Sequence, residues 1–124
     1  MKCKIIPSIF ICMILILNAC THNTDLASIR EISFGSDIQP IIAGNCTQSG
    51  CHNAQGDSKF SLVSYDDVIS KSGVKEGDAR GSNFYKVISR HNLSNPMPPS
   101  PLPMLSSDQI KLIYIWIEQG AKNN

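Results

Sequence analysis

At 124 residues the chain has room for one domain. With 42% hydrophobic residues, 17% charged residues and a net charge of +1, it has the composition of an ordinary globular protein. It offers none of the clustered basic surface that nucleic-acid binding requires, so no nucleic-acid partner is expected.

The N-terminus is set aside before the fold is considered. Lys2 and Lys4 make a positive start, and "IFICMILILNA" (Ile9 to Ala19) is an apolar run ending near small residues. The run is too short for a membrane-spanning helix, which needs about 20 apolar residues. It leads into "LNAC", Leu17 to Cys20, which resembles a bacterial lipobox. That resemblance implies cleavage just before Cys20 and lipidation of its thiol. Residues 1–19 are therefore expected to be a lipoprotein signal peptide, with a plain signal peptide or an uncleaved anchor as alternatives. Cys3 and Cys12 leave with the signal and Cys20 carries the lipid, so of five cysteines Cys46 and Cys51 remain in the domain. Loss of Lys2 and Lys4 leaves nine basic residues against ten acidic ones, a charge of about −1. The expected location is the cell envelope, with the domain lipid-anchored outside the cytoplasm, on the periplasmic side or the cell surface. Free thiols are oxidised there unless something uses them. The stretch from Cys20 to Ser33, polar and without strong periodicity, reads as a tether.

The domain is expected over 34–124. "SDIQPIIAGNC" opens with Ser36 and Asp37, either a good helix N-cap. Pro40 is tolerated only in a first turn, and Ile38, Ile41 and Ile42 share one face. A short helix should therefore deliver the chain to Cys46, with Gly44 near its end. "NAQGDSK" is turn-rich. "FSLVSYDDVISKSG" reads as an extended piece followed by a short helix over Tyr65 to Ser70 with Val68 and Ile69 inward. After the loop "VKEGDARG", Ser82 can cap "SNFYKVISR", where Phe84, Val87 and Ile88 share a face. "HNLSNPMPPSPLPM" carries five prolines in fourteen residues and cannot be helical.

The last element is the clearest. In "LSSDQIKLIYIWIEQGAK", Ser106 and Gln109 make a capping box, and Asp108 sits where the helix dipole favours negative charge. Ile110, Ile113, Tyr114 and Ile117 form an apolar stripe broadened by Leu112 and Trp116. Gly120 supplies the stop and Lys122 a cation beyond it. No strand ladder is evident. The expected class is all-α, with short helices and long loops, and a domain this small usually needs a disulfide, metal or cofactor to support its core.

The chemistry concentrates in "CTQSGCH", Cys46 to His52. Three sites are compatible with it. A covalent haem site takes thioethers from two cysteines and an imidazole from a histidine directly after the second. The usual spacer is two residues; here it is four, and "TQSG" can bulge outward, with Gly50 free to take a positive φ. A zinc site would begin with two cysteines and one histidine, but adjacent Cys51 and His52 are awkward joint ligands and no second pair completes four. A Cys46–Cys51 disulfide would make His52 incidental, in a haem-free structural lipoprotein; so small a loop adds modest stability.

The longer pattern resembles the small c-type cytochrome domains of bacterial secreted and lipid-anchored proteins. It runs from about Phe34 to Lys122 and comprises "DIQPIIAGNC", "CTQSGCHN", "SYDDVI", "GDARGSNFYKVI", "MPP" and "LSSDQIKLIYIWIEQGA". The resemblance implies a cytochrome c-like bundle of short helices around one haem c, with Cys46 and Cys51 bonded covalently, His52 as proximal iron ligand and Met97 as distal ligand. The widened spacer is where the chain departs from that pattern, and it bears on whether both thioethers form. A soft thioether suits haem iron, and Pro98 and Pro99 stiffen the backbone just after it. A methionine in a proline-rich loop also serves as a plain gap filler. Met104 and then His91 are the other candidate ligands. Tyr114 and Trp116 are candidates for the haem edge or for ordinary core.

With both axial positions taken, iron has no open site for substrate. The expected function is a membrane-tethered carrier of single electrons, with a redox partner protein at the envelope. It is not expected to be an enzyme, and a peroxidase would require Met97 to be absent or labile.

Overall fold

The structure, a computed structural model, describes residues 28–55, 58–90 and 94–124. The expected signal peptide, Cys20 and His91 lie outside these residues. All regular structure among the described residues is helical, in line with the all-α expectation. Among them, no helix is long and apolar enough to cross a membrane.

The first helical stretch begins earlier and wider than the sequence pattern indicates. A π-helical segment, Phe34–Ile38, runs directly into α1, Gln39–Asn45. Its cap is Ser33, whose hydroxyl accepts from the Ser36 N–H; neither Ser36 nor Asp37 is the cap. Asp37 is held inside the first turn, accepting the Ser33 N–H at 2.9 Å and both amino groups of Arg30 at 2.7 and 2.8 Å. Pro40 falls in the first turn of α1, where proline is tolerated. Ile38, Ile41 and Ile42 are all buried, as their spacing requires. Gly44 lies within α1, which ends one residue later.

Helix α2 spans Tyr65–Lys71, with Ser64 accepting from the Asp67 N–H. Val68 points into the core and Ile69 packs at its margin. Helix α3 is short, Asn83–Ile88, and buries Phe84 and Ile88. Ser82 precedes it by position but does not cap it. The buried Ser82 hydroxyl instead accepts from the Lys75 N–H at 2.8 Å and donates to the Asp78 carbonyl at 2.8 Å, pinning the preceding loop. The hydroxyl oxygen accepts from the loop amide of Lys75 in place of an amide of the first helical turn.

Helix α4, Ser107–Glu118, carries the expected capping box between Ser106 and Gln109. Its buried face is Ile113, Ile115, Trp116 and Ile117, centred beyond the predicted stripe; Ile110, Leu112 and Tyr114 are only partly covered. Gly120 ends the helix at φ +96°, a backbone conformation open to glycine at no cost in Cβ strain.

The core is an aromatic–aliphatic cluster around Trp116, which is fully buried. Its ring lies 5.6 Å from Phe34 and 6.5 Å from Tyr65, and its Nε1–H donates to the Lys122 carbonyl at 3.0 Å. The packed body reaches upstream of Phe34. Ile32 is buried, its N–H donates to Gln119 Oε1 at 2.8 Å, and Glu31 pairs with Lys122 at 2.7 Å. These contacts fasten the start of the domain to the end of α4. Through Phe34 and Trp116 they also fix the direction in which α1 carries the chain to Cys46.

Candidate functional site

Cys46 is the C-cap of α1, its N–H donating to the Ile42 carbonyl at 2.7 Å. Beyond it the chain turns back on itself. The Cys51 N–H donates to the Gln48 carbonyl at 2.9 Å, and the His52 N–H donates to the Cys46 carbonyl at 2.9 Å. Gly50 takes φ +79°, and Gln48, Ser49 and Gly50 are exposed. The surplus of the four-residue spacer therefore bulges into solvent, while Cys46, Cys51 and His52 stay half-buried.

His52 is oriented by the next segment of chain. Its Nδ1 lies 3.0 Å from the Phe60 carbonyl oxygen, and its ring sits 4.6 Å from the Phe60 ring. A carbonyl only accepts, so Nδ1 carries the proton, and in the neutral ring Nε2 is the bare, ligating nitrogen. The Leu62 N–H returns to the His52 carbonyl at 2.7 Å, closing the segment from both sides. Ser58 adds a third tie, its hydroxyl within 3.0 Å of the Cys51 carbonyl and 2.8 Å of the Phe60 carbonyl.

Met97 arrives from the proline-rich loop. Its N–H donates to the Val87 carbonyl of α3 at 3.0 Å, and Pro98 just after it is buried. Cys46, Cys51, His52 and Met97, from two distant stretches of sequence, thus line one cavity of about 540 Å³. That volume falls within the range of roughly 300–1,000 Å³ common for cofactor and small-molecule sites. Its walls are largely apolar, with Phe60, Leu62, Phe84, Val87, Ile88 and Leu105 among them, and Lys59 is the cation on the lining.

Cys46 and Cys51 carry free thiols. Burial, reinforced by nearby Cys51, pushes the Cys46 thiol up to about 11. Among the described residues, no three histidine, cysteine, aspartate or glutamate side chains come together to hold a metal ion. A closed zinc site, which takes four such ligands, therefore has no ligand set there.

Met104 is half-buried away from the cavity lining, which leaves Met97 as the methionine on its wall. Trp116 belongs to the core, and Tyr114 pairs edge-to-face with Tyr85 at 5.3 Å; neither lines the cavity. Ser58 and Phe60 were not legible as site residues. Phe60 acts on His52 through a main-chain oxygen, which has no signature in a sequence, and Ser58 stood in a run that read only as turn. Comparison with protein-family models, with curated proteins and with solved structures finds no match for this chain. The chemistry of the site is accordingly read from its own residues.

Proposed function

We propose that the chain is a c-type cytochrome that carries single electrons at the cell envelope, tethered to the membrane through a lipid on Cys20. One observation carries the reading: both thiols of "CTQSGCH", the imidazole beside them and the Met97 thioether share a single cavity with apolar walls. The donor set fits an iron porphyrin. Cys46 and Cys51 would hold it by thioethers, and His52 and Met97 would supply nitrogen and sulfur donors to its iron. When bound, the haem supplies one-electron exchange.

The remaining work falls to the protein. The Phe60 carbonyl keeps the proton on Nδ1 of His52, so Nε2 stays available as a donor. The apolar walls exclude water, which favours the less charged, reduced state of a buried redox centre. A thioether from Met97, in place of a second histidine, would raise the potential of the iron it held. Residues that would hold the haem iron from two sides, His52 and Met97, would suit a carrier of electrons over a peroxidase. The exposure of Gln48 and Ser49, which do not line the cavity, supports the reading from the other side, because the extra length of the spacer is turned outward.

The test is spectroscopic. Protein expressed with haem-attachment machinery should give a low-spin ferrous spectrum that carbon monoxide leaves unchanged. High-spin iron with rapid peroxide turnover would overturn the carrier reading.

A further inference from the structure

We infer that Ser58 is a positioning residue that limits the donor strength of the His52 imidazole and thereby holds up the potential of the iron. The inference rests on the haem reading above. Its basis is a shared oxygen. The Phe60 carbonyl receives the His52 Nδ1–H at 3.0 Å and the Ser58 hydroxyl at 2.8 Å, the shorter of that hydroxyl's two carbonyl contacts, the alternative acceptor being Cys51 at 3.0 Å. Ser58 lines the cavity and is half-buried, so its hydroxyl works in a partly dehydrated setting where hydrogen bonds are stronger.

A carbonyl oxygen has two lone pairs, and here both are engaged. A proton from Ser58 on one pair withdraws electron density from the other, so the Nδ1–H of His52 meets a poorer acceptor. A metal-bound histidine becomes more basic when its second N–H is strongly accepted. Ser58 opposes that effect, leaving Nε2 a weaker donor. The oxidised iron gains more from a strong donor than the reduced iron does. Weakening the donor therefore favours reduction, in the same direction as the Met97 thioether.

The experiment uses the haem-loaded protein with Ser58→Ala and Ser58→Thr. Potentiometric titration should place the alanine variant lower, by a threefold to tenfold change in the reduced-to-oxidised ratio at fixed ambient potential. That corresponds to about 30–60 mV at about 59 mV per tenfold for one electron. The threonine variant, which keeps the hydroxyl, should match the wild type. In the reduced alanine variant the His52 Nδ1–H proton resonance should move downfield, reporting a stronger hydrogen bond that a merely structural role would not produce. An unchanged or higher potential in a variant with a normal low-spin spectrum overturns the inference and leaves the haem reading standing. If the alanine variant does not accumulate, Ser58→Cys, with its weak S–H donor, should shift in the same direction. Failure of both to load haem while the threonine variant loads makes Ser58 a folding residue and overturns the assignment. A wild type without haem removes inference and reading together.

Discussion

Met97 is hydrogen-bonded to α3 through its backbone, the N–H donating to Val87, so changing its side chain removes no hydrogen bond of that tie. On the proposed function, Met97→Ala should open an axial position: carbon monoxide binding should go from none to stoichiometric, while Met104→Ala should leave the spectrum unaltered. Visible absorption of the reduced proteins with and without the gas checks both. At the same scale, Asp37 and Asp67 are held well below the usual carboxylate range. The Arg30 hydrogen bonds, then the Ser33 N–H, bring Asp37 from 3.8 to about 2. Lys71, then Ser61, do the same for Asp67. Both folded values lie below the unfolded ones, so the unfolded state binds more protons across that interval. The stability they contribute is complete above about pH 4 and is lost as pH falls from there through about 2. Denaturation midpoints should decline over that window, and Asp37→Asn should flatten the decline.

Among the elements, α4 was the most legible, because its signals are local: a capping box at Ser106 and Gln109, an apolar face and a glycine stop. Ser106→Ala should cost about 1 kcal/mol, seen as a lower denaturant midpoint at unchanged slope. What the sequence misjudged was set by tertiary contacts. The buried face of α4 takes in Trp116 because Phe34 and Tyr65 meet it from outside the helix. Ser82 was drawn from its cap to the loop amide of Lys75. The π-helical start at Phe34 followed from Ser33 and from the contacts of Asn124, whose carbonyl accepts the Gly35 N–H at 3.0 Å. Asn124 lies about ninety residues away in sequence, beyond the reach of any local pattern.

At the scale of the whole molecule, two distant segments meet at one cavity, and a small aromatic core joins the π-helical segment and the start of α2 to α4. Trp116→Ala removes the largest fully buried side chain and should cost about 3–5 kcal/mol, a large share of a stability of order 5–15 kcal/mol. Chemical denaturation of the variant checks this. The cavity lining was readable where the sequence carries distinctive residue types, at Cys46, Cys51, His52 and Met97, which line it together. It was unreadable where a backbone oxygen or a hydroxyl in a turn does the orienting, as at Phe60 and Ser58. The most direct test of the account is a pyridine haemochrome spectrum of the full chain, expressed with haem-attachment machinery and denatured to retain only covalently bound haem. The band position characteristic of two thioethers is the predicted result. A folded, colourless protein in which Cys46 and Cys51 are joined to each other would contradict it.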